Sequence, residues 1–411
     1  MRALFVLIPA TLCACSSARP SGVAATSLPC DVLPLVGRAV PTAFATDEAG
    51  GIALAGASTG TQLRAGAAVL QAAGGFALRA DPAGRVSWLR GLGAVRPLGA
   101  TILPDGTVVV VGQAQKQCFA ARLAAGDGGE IWTSRLTGDG ESACRAVAAG
   151  PSGDLWAVGE FTGSLGPARS AGMSDVFVLK ISAAAGEMRL ARAFGGKGAD
   201  TATALAVTSS GDAIVAGAFG ADVDASISEV DFGRGAVRGA GGADGYLLAL
   251  SPEGGTRWVS LVGEHGEDEV VAVAARGGAV FAAANAHRER KGAPCGGQVL
   301  VVRKGEWVRV LEEECASARA AAVDDATRLW VLENAGHMLR ARAFAPRDGE
   351  LLGQRMWAGE RASLRGAGIG RVPGGFAIAA LTDGEAIVCG KPIGTAGEQT
   401  AFVAWVRDLA P

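Results

Sequence analysis

The sequence predicts an all-β chain folded as a single β-propeller of four-stranded blades, seven in number. Three observations predict it. One apolar strand string recurs at blade-sized spacing, a second hairpin type alternates with it, and the two chain ends supply complementary strands. The 411 residues include 62 Gly, 8 Cys and only 3 His, with a formal charge of −2. Abundant glycine with frequent β-branched residues fits many short strands joined by tight turns. A near-neutral chain without a basic block offers no electrostatic footprint for nucleic acid.

The recurring string is an apolar strand with glycine at its sixth position. It reads GIALAGAS at 51–58, TVVVVGQA at 107–114, DLWAVGEF at 154–161 and DAIVAGAF at 212–219, which aligns Gly56, Gly112, Gly159 and Gly217. Each copy follows a glycine-containing turn, such as Pro104-Asp105-Gly106 or Ser209-Ser210-Gly211, and each turn follows another apolar stretch, such as ALAVT at 204–208. The unit therefore contains a β-hairpin. Copies at 278–285, 327–334 and 375–382 lack the glycine but keep the turn and the pattern, which brings the hairpins to seven.

The second hairpin is clearest where DVFVLKI at 175–181 turns through Ala185-Gly186 into EMRLARAF at 187–194. Its relatives begin at 75, 118, 245, 298 and 338, and the strand that follows often carries tryptophan: Trp88, Trp132, Trp258, Trp307 and Trp357. Two hairpins make four strands per unit, and units recurring every roughly 40 to 70 residues read as propeller blades. The Trp residues could offer a sugar-stacking surface, but recurrence at one strand position argues for packing between blades.

The ends close the ring. AFVAWVR at 401–407 is a third-strand copy with no fourth strand after it, and DVLPLVG at 31–37 is a strand with no partner before the first hairpin. Placing the N-terminal strand outside the last blade completes that blade and leaves few open edges.

Before this strand, Met1-Arg2 and the apolar run from Ala3 to Leu12 form the core of a secretory signal, too short to span a bilayer, which needs roughly 20 residues. Leu12-Cys13-Ala14-Cys15, followed by Ser16-Ser17, resembles the lipobox of bacterial lipoproteins, with Cys13 departing from the usual small residue at that place. The resemblance implies a signal peptide at 1–14, an acyl chain on Cys15, a linker to residue 30 and the propeller over 31–411. Ser16 after the lipidated cysteine implies the outer membrane. Ordinary cleavage near Ala14 or Ala18, with free secretion, is the alternative.

The segment from Asp175 to Gly217, DVFVLKISAAAGEMRLARAFGGKGADTATALAVTSSGDAIVAG, resembles the bacterial β-propeller repeat of the SBBP type, although it lacks the strand tryptophan. Linkers match as well: Ala171-Gly172, Ala240-Gly241 and Ala396-Gly397 precede Phe177, Tyr246 and Phe402 by one spacing. The resemblance covers about residues 31–409 and is degenerate after 290. It implies a propeller on an exported or surface-exposed bacterial protein and hands over no catalytic residues.

Six cysteines remain beyond Cys13 and Cys15. An even number in an exported chain suggests disulfides. Cys118 opens a third strand and Cys144 follows the fourth; Cys295 and Cys315 repeat those positions, so Cys118–Cys144 and Cys295–Cys315 are the expected pairs. Cys30–Cys389 follows by elimination, and it requires the long loop 383–399 to fold back. No spacing supports zinc ligation.

Chemical motifs are sparse. Gly56-Ala57-Ser58-Thr59-Gly60 matches the nucleophile-elbow pattern, yet Gly56 is the repeat glycine. Gly366-Ala367-Gly368-Ile369-Gly370 is glycine-rich but opens no helix, so a phosphate cradle is not expected. Two acidic runs raise calcium binding or acid–base chemistry, against the ordinary reading of solvated loops: Glu264, Glu267, Asp268 and Glu269 around His265, and Asp222, Asp224, Glu229 and Asp231. His287 and His337 have no partners at ligand spacing. No cofactor or metal is expected. Two readings of function follow. One is a non-enzymatic, monomeric cell-envelope lipoprotein whose propeller binds or scaffolds a protein or glycan and meets the membrane only through its lipid. The alternative is a propeller enzyme of lyase or glycosidase type with carboxylates at the central channel.

Overall fold

The computed structural model describes residues 30–407 apart from 167, 224–227, 264–265, 277, 287–296, 304–305, 314–315, 347–348 and 360–361. Cys15, Cys295 and Cys315, with His265 and His287, lie outside the described residues. All regular structure among the described residues is β, and no helix there is long and apolar enough to cross a membrane.

The chain opens with β1 (Cys30–Val36), then β2 (Ala39–Thr46), β3 (Ile52–Ser58), the short β4 (Leu63–Ala65) and β5 (Ala68–Leu70), then β6 (Gly74–Ala80) and β7 (Val86–Gly93). Strands β2, β3, β6 and β7 form the first antiparallel blade. The second is β8 (Val95–Ile102), β9 (Val108–Ala114), β10 (Gln117–Leu123) and β11 (Glu130–Arg135). The third runs β12 (Ser142–Ala149), β13 (Asp154–Phe161), an arm of β14 (Ser164–Leu165) and β15 (Ala168–Arg169), then β16 (Asp175–Ser182) and β17 (Met188–Phe194). The fourth repeats that plan with β18 (Ala199–Val207), β19 (Ala213–Ala221), an arm of β20 (Glu229–Asp231) and β21 (Ala236–Arg238), then β22 (Asp244–Leu250) and β23 (Thr256–Val262). The fifth is β24 (Asp268–Arg276), β25 (Ala279–Ala286), β26 (Gly297–Arg303) and β27 (Glu306–Glu313). The sixth is β28 (Ala316–Val323), β29 (Leu329–Ala335), β30 (Met338–Phe344) and β31 (Leu351–Trp357).

The final segment supplies β32 (Leu364–Val372), β33 (Gly375–Thr382), an arm of β34 (Ala386–Val388) and β35 (Lys391–Ile393), and β36 (Thr400–Arg407). These join the chain start in a six-stranded sheet ordered β32-β33-β36-β1-β4-β5. Strand β1 runs antiparallel to β36, with Cys30 opposite Val406 and Leu35 opposite Ala401. The first strand of each sheet packs beside that of the next, β2 to β8, β12, β18, β24, β28 and β32, and β32 returns to β2.

The core is layered between sheets. Val109, Val111 and Cys118 of the second blade meet Leu155, Phe177 and Leu179 of the third, and Leu35, Val403 and Trp405 meet Leu54 and Phe76 across the closure. Sheets covered on both faces demand near-continuous apolar strands, which is what VVVV in β9 supplies. The recurring tryptophans tie neighbouring blades: Trp88 Nε1 donates to the Ala125 carbonyl at 3.0 Å and Trp132 Nε1 to that of Ala183 at 2.9 Å.

The repeat glycine answers a backbone irregularity. In each innermost strand a central residue drops out of register with the second strand, namely Thr42, Leu98, Arg145, Thr203, Val271, Arg319 and Ala367, and in β18 Asp200 does so as well. This bulge turns the carbonyl oxygens of Val40, Arg96, Ala143 and Thr201 onto Gly56, Gly112, Gly159 and Gly217, where a Cβ would overlap them.

The segments expected as plain loops at 220–243 and 383–399 instead hold the two-stranded arms β20–β21 and β34–β35. Pairs of three residues are too short to show a period-two pattern in sequence. The same second-to-third connection carries β4–β5 and β14–β15. Sheets of one strand order and direction put that connection at one end, so all four arms rise from one face of the ring.

Candidate functional site: the axial cavity

A cavity of about 450 Å³ lies where the innermost strands converge. Thr42, Leu98, Arg145, Thr203, Arg319 and Ala367, the bulge residues of six innermost strands, all line it. The bulge therefore aims one side chain per strand at the axis. Two threonines use the position to join blades: Thr42 Oγ1 donates to the Pro97 carbonyl at 2.7 Å, and Thr203 Oγ1 to that of Val270 at 2.6 Å. Two positions carry arginine.

Arg145 is held within its own blade. Its Nε donates to both oxygens of Glu160 at 2.8 and 2.9 Å, and the guanidinium reaches Oε1 again at 2.6 Å. The bonds to Glu160 push the Arg145 pKa above its usual value, aided by the charge of Glu269. Glu160 follows Gly159 on β13. At the matching place on other second strands stand amides that reach the next blade: Gln113 donates to Ser142 O at 3.2 Å, Asn285 accepts from Ala318 N at 2.9 Å, and Asn334 accepts from Gly366 N at 2.9 Å.

Arg319 is exposed, and its side chain makes no hydrogen bond or ion pair with another described residue. Glu269, two residues before the bulge of β24, is half-buried on the cavity wall. Burial raises its carboxyl pKa, and the positive charges of Arg319 and Arg145 pull it back.

The acidic run around Glu269 disperses. Glu267 accepts from the Ala243 amide at 3.3 Å, while Asp268 is buried and its amide donates to the Ala243 carbonyl. Among the described members of the run Glu269 alone lines the cavity, and Glu264 lies outside the described residues. In the other run, Glu229 pairs with Arg238 at 3.0 Å, and Asp231 Oδ1 accepts from the amides of Gly233, Arg234 and Gly235 to shape the arm turn. Asp222 sits at a positive φ of 63°, and Asp224 lies outside the described residues. Among the described residues no group of three or more His, Cys, Asp or Glu is placed to hold a metal.

His337 Nδ1 lies 2.8 Å from Ser363 Oγ, away from both runs. Ser58 is buried at the end of β3, where the chain enters the arm β4–β5 and not a helix, so the elbow pattern reflects the repeat. Gly368 and Gly370 of the glycine-rich run let β32 approach Phe44 and Thr46 of β2.

Cys118 and Cys144 are bonded, with Cα atoms 5.0 Å apart, and Cys30 is bonded to Cys389 with Cα atoms 5.2 Å apart. Cys389 reaches Cys30 because it occupies the tip of the β34–β35 arm. Cys389 and Gly390 have φ of 55° and 71°, as a two-residue hairpin turn with both centres left-handed requires. Asp175 and Asp244, each opening a third strand, accept from the amides of Ala171 and Ala240 at 2.9 and 3.0 Å, which gives the repeated Ala-Gly linkers a structural purpose.

No family model and no curated protein sequence matches the chain. Among solved structures, U3-55K superposes with a TM-score of 0.54 at 13% identity over 91% of this chain and 98% of that one. The RRP9 WD40 repeats give 0.54 at 13% identity over 91% and 97%. BamB from Moraxella catarrhalis gives 0.44 at 11% identity over 88% and 85%. At these identities the likeness to U3-55K and the WD40 repeats shows the fold alone, a β-propeller.

Proposed function

We propose that this chain is an exported binding scaffold: a monomeric, seven-bladed β-propeller of SBBP-type repeats, anchored to a bacterial membrane by an acyl chain on Cys15, that engages a protein through its arm-bearing face. The signal peptide is 1–14, and the sheet β32-β33-β36-β1 serves as the seventh blade. The return contact of β32 with β2 and the pairing of β1 with β36 support that count. Disulfides, which are rare in cytosolic proteins, support export.

The observation that carries the binding reading is the gathering of four arms on one face, with large apolar side chains exposed beside them. Val69 is 48% exposed on β5, Ile387 59% on β34, and Val36 49% where β1 meets β4. A protein partner is favoured over a glycan because Trp88, Trp156, Trp330, Trp357 and Trp405 are buried in the blades, and the indole of the half-buried Trp132 is engaged with the Ala183 carbonyl.

The test is site-specific photo-crosslinking in intact cells. A crosslinker at Val69 or Ile387 is expected to capture one discrete protein, whereas one at Asp105 or Ser210, in turns on the opposite face, is not. Equal or absent capture from both faces rejects the arm face as the binding surface. Cys15→Ser is expected to move the protein out of the membrane fraction and abolish labelling by a radioactive fatty acid. Labelling that persists on the variant rejects the lipobox.

A further inference from the structure

We propose that the axial cavity is a small-molecule site for a free α-amino acid, with Arg319 binding the carboxylate and Glu269 accepting from the ammonium. The cavity is lined by the arm-side halves of the innermost strands, and the proposal does not depend on any protein partner at the arms.

The argument is one of charge accounting. Arg145 and Glu160 satisfy each other through a bidentate ion pair. That leaves one cation and one carboxylate on the same cavity wall, and no ion pair within 4.0 Å joins them. A ligand with a single charge would pair with one and sit close to the other, whose charge has the ligand's own sign, which is unfavourable. A zwitterion satisfies both. The volume, about 450 Å³, falls in the range of small-ligand pockets, about 300–1,000 Å³. Among the described residues the remaining lining, such as Thr201, Leu98 and Leu381, includes no aromatic side chain. This disfavours nucleobases and sugars, which stack on aromatic rings.

Position within the repeat adds to this. The bulge place is occupied by Thr, Leu, Val or Ala in five innermost strands and needs no charge to hold the fold there. Arg145 has a structural counter-ion in Glu160, whereas Arg319 makes no ion pair within 4.0 Å of a described residue. Glu269 receives no side-chain hydrogen bond from a described residue, and burial raises its pKa although the charges of Arg319 and Arg145 pull it down.

The test uses the full-length protein and follows thermal unfolding and calorimetry with glycine, L-alanine and L-leucine, and with acetate and methylammonium as single-charge controls. At least one amino acid is expected to raise the melting temperature and bind at a single site, while neither control does so at equal concentration. Arg319→Gln and Glu269→Gln are each expected to weaken that amino acid at least tenfold and to leave the melting temperature of the free protein within about 2 °C. Lys116→Gln, which removes an exposed charge outside the cavity lining, should leave binding unchanged within threefold. Acetate binding as tightly as the amino acids would overturn the zwitterion assignment. The proposal also fails if no amino acid binds, or if binding survives both glutamine substitutions.

Discussion

The hydroxyl of Tyr246 donates to the carbonyl oxygen of Thr201 over 3.0 Å, passing across Gly217 on the strand between them. The same aromatic-over-glycine pairing joins Gly56 to Phe76, Gly112 to Phe119 and Gly159 to Phe177. The ring shields a glycine that must be bare because the bulged inner strand presses its carbonyl against it. Gly217→Val is expected to cost roughly 3 kcal/mol, since a branched side chain forces the bulge and ring apart. Tyr246→Phe is expected to cost about 1 kcal/mol, the value of one net hydrogen bond. Urea denaturation measures both; a Gly217→Val variant as stable as the parent would show that the bulge relaxes freely.

Removal of residues 400–411 is expected to abolish cooperative folding. Phe402, Val403 and Trp405 are 0%, 0% and 1% exposed, and their burial contributes on the order of 2 kcal/mol each. Strand β36 also lies between β33 and β1, so both lose their partner. Aggregation or proteolysis of the truncated chain is the expected result. A monomer with nearly the parent melting temperature would show that the termini do not share a blade.

The two disulfides should differ in weight. Cys30–Cys389 closes a separation of 359 residues and Cys118–Cys144 one of 26. In the chain-entropy model the longer loop contributes about 2 kcal/mol more than the shorter. Cys30→Ala with Cys389→Ala is expected to lower stability more than Cys118→Ala with Cys144→Ala. Denaturation with and without reductant measures the order; equal losses would mean that the β1–β36 pairing already restrains the unfolded ends.

Asp200 should make stability fall as pH rises. Burial lifts its carboxyl from 3.8 to about 6, the amides of Gly220 and Gly196 hold it down, and the charge of Asp175 adds to the rise. The residue is 1% exposed. The folded state therefore binds the proton more tightly than the unfolded chain. Its contribution is full below pH 4 and is lost as pH climbs through about 6. A rise of about two units corresponds to about 3 kcal/mol. Relative to the parent, Asp200→Asn is expected to gain on that order between pH 4 and pH 7, read by urea denaturation at both values. A pH-independent difference would show that Asp200 titrates as in water.

The β-propeller was legible in the sequence because its signals are local. Alternating strands, the turns at Gly106 and Gly211, and the glycine at 56, 112, 159 and 217 each involve residues within one hairpin. The tertiary structure alone decided the rest. Which side chains face the axis depends on a one-residue register skip, and such a skip exchanges the two faces of a strand. Arg145 and Arg319 therefore read as ordinary surface charges until the bulges place them in one cavity. In sequence Glu269 is visible only as a member of an acidic run; in the fold Glu267 is held by the Ala243 amide and Asp268 is buried, while Glu269 lines the cavity. The approach of Cys30 to Cys389 needed both the closure of β1 on β36, which joins residues more than 350 positions apart, and an arm whose three-residue strands are too short to show a pattern in sequence.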